Sequence, residues 1–299
     1  MHIHLDPVGG IAGDMFVSSI IDAFPHLEEP LYNTIKKLDI PSEIEIAVKP
    51  YTDGILTGKR FQVDGFKDEH HSHFPSIQNR ILKAKLSTET TERSIEIFRI
   101  LALAEAEVHG TSVDQVAFHE VGAWDSIIDI VSAAFLISSL SVKSWSIGEL
   151  PLGKGLVSSA HGMLPIPAPA VVSILSGYPV YSDNIKGERV TPTGAAIVKH
   201  LSPDFNYASL RLKNHGHGFG SKRLPNMSNI LRCLVFDYST HNDESIALVN
   251  FEIDDQSPED LAVGLDHLRE LDGVIDISQN MLMMKKNRVA TGIQILAER

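Results

Sequence analysis

Apolar and polar residues alternate over residues 2–6 and predict a short strand. The glycine-rich turn from Val8 to Gly13 leads into a predicted helix from about Asp14 to Phe24, with Met15, Val17, Ile20 and Ile21 at helical spacing; Pro25 and Pro30 punctuate its end. Residues 43–49 alternate and read as a half-buried strand, and residues 58–66 read as its partner. A polar loop is expected over Lys67–Ser76. Ile95, Phe98, Leu101, Ala102 and Ala106 predict a long helix from about Thr91 to Val108, stopped by Gly110. Ser126–Leu140 reads as a mostly buried helix, and Trp145–Leu152 as a strand ending at Pro151. Residues 165–177 read as a helix opened by proline, and Thr191-Pro-Thr-Gly opens another to about Leu201. His215–Ser221 reads as a second glycine-rich loop and Ile230–Phe236 as a strand. The polar segment 239–245 reads as a linker. After it come strand 246–253, helix 258–271 and strands 274–283 and 288–298, the first half of a ferredoxin-like βαββαβ unit. The pattern predicts a mixed α/β (α+β) fold, with a large domain over 1–238 and a small partial module over 246–299.

Composition narrows the classes. A length of 299 residues suits two domains. Apolar residues at 43% and charged residues at 21% exclude wholesale disorder. A net charge of −12 argues against broad nucleic-acid binding, which needs a basic surface. The single cysteine, Cys233, excludes an internal disulfide framework and a thiolate metal cluster. The first residues lack a signal-peptide pattern, and the apolar stretch Ile127–Leu140 is interrupted by Asp129 and too short to span a bilayer. A cytoplasmic protein with no membrane partner is expected.

The candidate chemistry lies in clusters of histidine and carboxylate. His2, His4 and Asp6 share one face of the first strand, and Gly9, Gly10 and Gly13 then lead to Asp14 at a helix start, where anions and metals bind; a tight turn with a capping aspartate is the plain alternative. In Phe118-His119-Glu120-Val121-Gly122-Ala123-Trp124-Asp125-Ser126-Ile127-Ile128-Asp129, Asp125 and Asp129 stand one helical turn apart. Asp129 is embedded among isoleucines and valines, a costly place for an unpartnered carboxylate. Imidazole with carboxylate suits divalent transition metals. His70, His71 and His73 form a short metal-collecting or merely solvated loop. His161 is a candidate ligand or general acid; Lys154 and the helix start at Thr191 and Thr193 are candidate anion contacts. The run from His215 to Lys222 lacks P-loop spacing. Neither a serine-hydrolase elbow nor a zincin motif occurs.

These residues together resemble the LarC family of nickel-insertion proteins. The resemblance runs through Asp6-Pro-Val-Gly-Gly-Ile-Ala-Gly-Asp-Met-Phe16, Phe118–Ile130, Leu150-Pro-Leu-Gly153, Ala160–Ala170 and Glu188-Arg-Val-Thr-Pro-Thr-Gly-Ala195, and reaches Ile253–Glu259 and Met284–Arg288. It implies an enzyme of the lyase class, a nickel chelatase or cyclometallase. Its substrate would be a pyridinium mononucleotide with thiocarboxylates at ring positions 3 and 5. Nickel would be inserted between the sulfurs and bonded to ring C4, giving the nickel-pincer cofactor for a racemase-type apoenzyme. The resemblance also implies CTP, hydrolysed to CMP and pyrophosphate, with Mn²⁺ or Mg²⁺, and a homo-oligomer. It assigns 1–238 to nickel and substrate, and 246–299 to the CTP-binding region. His119, Glu120, Asp129 and His161 are the expected catalytic residues, and Asp6, Asp14, His119, Asp125 and Asp129 the expected metal ligands. Gly9, Gly10, Gly13, Lys154, Thr191 and Thr193 are the expected cofactor contacts. Three departures stand out. Pro7 occupies a position where many relatives carry cysteine, the histidine loop is short, and relatives usually continue about a domain further. The CTP function would then need completion by a partner chain, or be lost or altered. The other readings are a nickel- or nucleotide-binding carrier without CTP chemistry, and a metal-dependent phosphohydrolase on the same scaffold.

Overall fold

The computed structural model describes residues 1–65, 72–118, 124–159, 162–206, 210–237 and 246–298. Two units separate, Met1–Tyr238 and Ser239–Arg299. The first contains β1 (His2–Asp6), α1 (Gly13–Ala23), α2 (Glu28–Ile35), β2 (Glu45–Thr52), β3 (Thr57–Asp64), β4 (Ser72–His73), α3 (Phe74–Lys83), α4 (Thr88–His109), β5 (Ala117–Phe118), α5 (Trp124–Ser139), β6 (Ser144–Ile147), β7 (Leu150–Ser159), β8 (Gly162–Ile166), α6 (Pro169–Ile174), β9 (Val180–Lys186), α7 (Pro192–Leu201), β10 (Arg211–Phe219) and β11 (Ile230–Asp237). The second contains β12 (Ile246–Ile253), α8 (Pro258–Arg269), β13 (Val274–Met284) and β14 (Arg288–Glu298).

The first unit is organised by a six-stranded sheet in the order β2-β3-β10-β11-β1-β6. Alternation in β1 sends Ile3 and Leu5 into the core, both fully buried. Helix α1 lies against β10, β11 and β3, burying Met15, Phe16, Val17, Ile20 and Ile21. Helices α4, α5 and α7 extend the same core through Phe98, Leu101, Ile128, Val131 and Ile197. Local signals set the helix ends. Ser87 caps α4, its Oγ accepting the Thr90 N–H at 3.2 Å, and Gly110 ends the helix at φ 62°. A smaller sheet runs β8-β7-β9.

Three stretches differ from the sequence reading. The run His215–Ser221 is not a loop; through Phe219 it belongs to β10, paired antiparallel to β11. Its glycines recur every second residue because α1 lies directly on that face. A Cβ at Gly216 would stand 2.3 Å from the Ser19 carbonyl oxygen, and one at Gly218 would stand 2.0 Å from that of Met15. The predicted strand Trp145–Leu152 is two strands. β6 continues the large sheet beside β1, and after Gly148 the chain enters the small sheet as β7. The predicted helix 165–177 begins only at Pro169, because each proline forces the residue before it into extended backbone and Pro165 lies within β8. Helices α2 and α3 and strand β9 lie outside the predicted elements.

In the second unit the sheet order is β12-β14-β13, all antiparallel, with Leu261 and Leu265 of α8 packed on Ile277, Ile293 and Ile295. β14 therefore lies between two parallel strands joined through a helix, the split βαβ arrangement. Among the described residues no helix is long and apolar enough to cross a membrane.

Candidate functional site: an aspartate-lined cavity at three helix starts

The first turns of α1, α5 and α7 meet at one cavity of about 490 Å³. Asp14 comes from α1, Asp125 and Asp129 from α5, and Thr193 from α7, with Thr191 at its N-cap. Each helix start carries partial positive charge from aligned peptide dipoles, so carboxylates and anionic ligands are favoured there. Arg60 on β3 and Lys222 beyond the end of β10 also line the cavity. The Arg60 guanidinium lies over the Tyr51 ring, 3.7 Å from its centre, and donates to the Gly220 carbonyl at 3.0 Å. The cavity lining thus carries both carboxylates and cations.

The carboxylate part of the lining is built by close packing. A Cβ on Gly13 would stand 2.6 Å from Asp129 Oδ2, so glycine lets the α5 carboxylate sit against the start of α1. There the Asp14 backbone N–H favours its ionised form, but burial and the charges of Asp14 and Asp125 outweigh this and hold its carboxyl well above the ordinary range. Burial pushes Asp14 up to about 6, against the opposing pull of the Met15 N–H and Arg60. Both carboxyls thus hold a proton more tightly than exposed aspartates do, as a group that moves a proton in a reaction must.

A buried arginine pins the remaining edge. Arg189 donates through Nε to the Gly9 carbonyl at 2.5 Å, through Nη2 to Val8 at 2.9 Å, and through Nη1 to Asp183 at 2.6 Å. Its own carbonyl accepts the Ile11 N–H at 2.9 Å. Gly10 is in a left-handed conformation at φ 126°, and a Cβ there would stand 1.9 Å from the same Arg189 oxygen. Gly9 and Gly10 direct their N–H groups to the Ile230 and Pro7 carbonyls. In this fold the glycine turn serves close backbone contact. At the α7 start, Thr191 Oγ1 accepts the Gly194 N–H at 3.1 Å and lies 2.9 Å from Thr193 Oγ1.

Of the residues singled out in the sequence, Asp14, Asp125, Asp129, Thr191 and Thr193 converge on this cavity, and Gly13 lies against it. Asp6 does not line it; its carboxylate pairs with Arg232. Lys154 lies on β7 and donates to Asn184 at 3.1 Å. His2 and His4 share a face of β1 as expected, but they face serines of β6: His2 meets Ser144 and Ser146, and His4 meets Ser146, at 2.7–2.8 Å. Burial keeps both imidazoles below their ordinary pKa. His119, Glu120 and His161 lie outside the described residues, as do His70 and His71. Among the described residues no group of three or more histidine, cysteine, aspartate or glutamate side chains is arranged to hold a metal ion. The sequence reading passed over Arg60. Its signal was an arginine inside an alternating strand, on a β-hairpin where Tyr51 stands diagonally across from it.

Comparison with known proteins identifies the family. The chain matches the family described as nickel insertion protein over residues 3–299. A protein of Geotalea daltonii named "Putative nickel insertion protein" is 38% identical over 297 residues, covering 98% of this chain and 76% of its own length. The pyridinium-3,5-bisthiocarboxylic acid mononucleotide nickel insertion protein of Staphylococcus epidermidis is 34% identical over 297 residues, covering 99% of this chain and 74% of its own. No solved structure matches the chain. With the family model matching residues 3–299 and relatives covering nearly its whole length, this chain belongs to the nickel insertion protein family.

Proposed function

We propose that this chain inserts nickel into pyridinium-3,5-bisthiocarboxylic acid mononucleotide, the substrate in the name of its staphylococcal relative, and that the cavity at the three helix starts is where it does so. One observation carries the reading: two buried carboxyls, both raised in pKa, share a single cavity with Arg60 and Lys222. The substrate is anionic through its phosphate and thiocarboxylates. Arg60, Lys222 and the Thr191–Thr193 helix start suit those groups. Asp14, Asp125 and Asp129 are not arranged as a ready-made metal site; they would meet the incoming nickel ion as weak, transient oxygen ligands that give it up to softer sulfur. Forming a nickel–carbon bond at ring C4 replaces a C–H bond, so the proton must leave to a base. Asp14 or Asp129, ionised, accepts it and releases it to water. His119, Glu120 and His161 enter this proposal from the motif resemblance alone, as further bases or nickel ligands.

The resemblance also implies CTP with Mn²⁺ or Mg²⁺. A cleft of the second unit, about 690 Å³, is lined by residues that include Glu252, Asp254, Asn250, Asn280 and Gln294. Those oxygens suit a hydrated divalent ion. Among the described residues no lysine or arginine lines the cleft, and Arg288, beside it, is paired with Asp254 at 3.4 Å, so the lining does not fit a triphosphate.

The test supplies the purified chain with the bisthiocarboxylated mononucleotide and Ni²⁺, with and without CTP and Mn²⁺, and reads the nickel-containing product by mass spectrometry. Product is expected. Asp129→Asn should lower its rate by about 100-fold or more if the pair is the base. An absence of product under every condition, from protein that still binds nickel, would overturn the reading in favour of a carrier.

A further inference from the structure

We propose a second metal site, on β10, formed by His215 and His217 and taking one divalent ion of the imidazole-preferring class: Ni²⁺, Cu²⁺ or Zn²⁺. Residues two apart on a strand share a face. The two imidazole rings lie side by side, with centres 5.4 Å apart. Two imidazoles on one ion, with bonds of about 2.1 Å, place their ring centres about 5 Å apart, so a small side-chain rotation closes the chelate.

The tautomer of His217 is fixed for the task. Its Nδ1 lies 2.9 Å from the Thr57 carbonyl oxygen, which can only accept. In the neutral ring Nδ1 therefore carries the proton and Nε2 the lone pair. A ring nitrogen donated to a backbone carbonyl with the other left to the metal is the usual arrangement of a ligating histidine. The backbone beneath is held as well. The His217 N–H donates to Asp22 at 2.9 Å, and Gly216 and Gly218 lie in close contact with α1. Two cations stand nearby, and each has its own carboxylate: Lys213 pairs with Asp237 at 2.9 Å, and Arg232, opposite His217, pairs with Asp6. The cationic charge that would repel an incoming ion is thereby offset. Two neutral nitrogens with water completing the shell favour borderline transition ions over Mg²⁺ or Ca²⁺. Neither histidine lines the aspartate cavity, and the site stands whether or not the proposed reaction does.

Equilibrium dialysis with NiCl₂ alone, at neutral pH, tests it on the whole chain. The background is His70→Ala/His71→Ala/His73→Ala, which removes the histidine loop. His215→Ala and His217→Ala should each abolish binding of the same ion, and the double variant should lose nothing further. Cu²⁺ bound at the pair should show nitrogen hyperfine splitting in its electron paramagnetic resonance, lost in either variant. Both side chains are peripheral, so circular dichroism and melting should match the parent. Unchanged nickel stoichiometry in either folded variant, or copper without nitrogen coupling, would overturn the proposal.

Discussion

Asp14 carries a carboxyl group that burial holds near pH 6 in the folded chain, about two units above an exposed aspartate. The sign of the consequence is fixed. Below about pH 4 the group is protonated whether the chain is folded or unfolded, and it costs nothing. As pH rises from about 4 to 6 the unfolded chain ionises while the folded chain stays protonated, so stability falls, and above 6 it levels off. Asp14→Asn removes this penalty. The variant should be more stable than the parent by roughly 1–3 kcal/mol at pH 8 and equal to it at pH 4, read as urea midpoints at the two pH values. The same substitution should lose activity, a stability–function trade expected of a site residue. Asp129 was legible as such a residue from its apolar neighbours alone. Arg60 was not, because an arginine in a strand is ordinary until the fold brings it to the same cavity as Asp14.

Among the elements, β10 shows how composition can conceal periodicity. Gly216, Gly218 and Gly220 read as a loop, yet their two-residue spacing is a strand signal whose reason lies on another element, α1. Gly218→Ala should force α1 away from the sheet and cost several kcal/mol, or prevent folding, because the obstacle is backbone. Gly264 in α8 is the contrast: a Cβ there meets nothing within 4 Å, so Gly264→Ala should stabilise its helix by about 0.5–1 kcal/mol. Thermal melts of the two variants check both. The elements with strong internal signals matched their predicted places to within a turn: α4, predicted from about Thr91 and stopped by Gly110, α7 behind Thr191-Pro-Thr, and β12, α8, β13 and β14. Those the pattern missed or misdivided, α2, α3, β9 and the β6–β7 break, have short apolar runs and owe their form to neighbours far along the chain. That the three helix starts meet was likewise not legible, since it follows from the order of the sheet.

For the whole molecule, two hydrophobic cores form separately along the chain, and the six-stranded sheet organises the larger. Cys233 sits in β11, between β10 and β1, fully buried, and burial holds its thiol well above the ordinary range. A buried, protonated thiol is inert. The chain has no other cysteine. Every covalent hit by a thiol reagent must therefore follow the opening of this one sheet. Incubated with an excess of Ellman's reagent, the native protein should release colour only at the rate at which the sheet opens, independent of reagent concentration once the reagent outruns reclosure. A fast, reagent-dependent burst would mean that β11 is reached without unfolding. A single sulfur at the centre of the sheet thus gives the first unit an intrinsic clock, readable without attaching a label and sensitive to any ligand that holds the strands together.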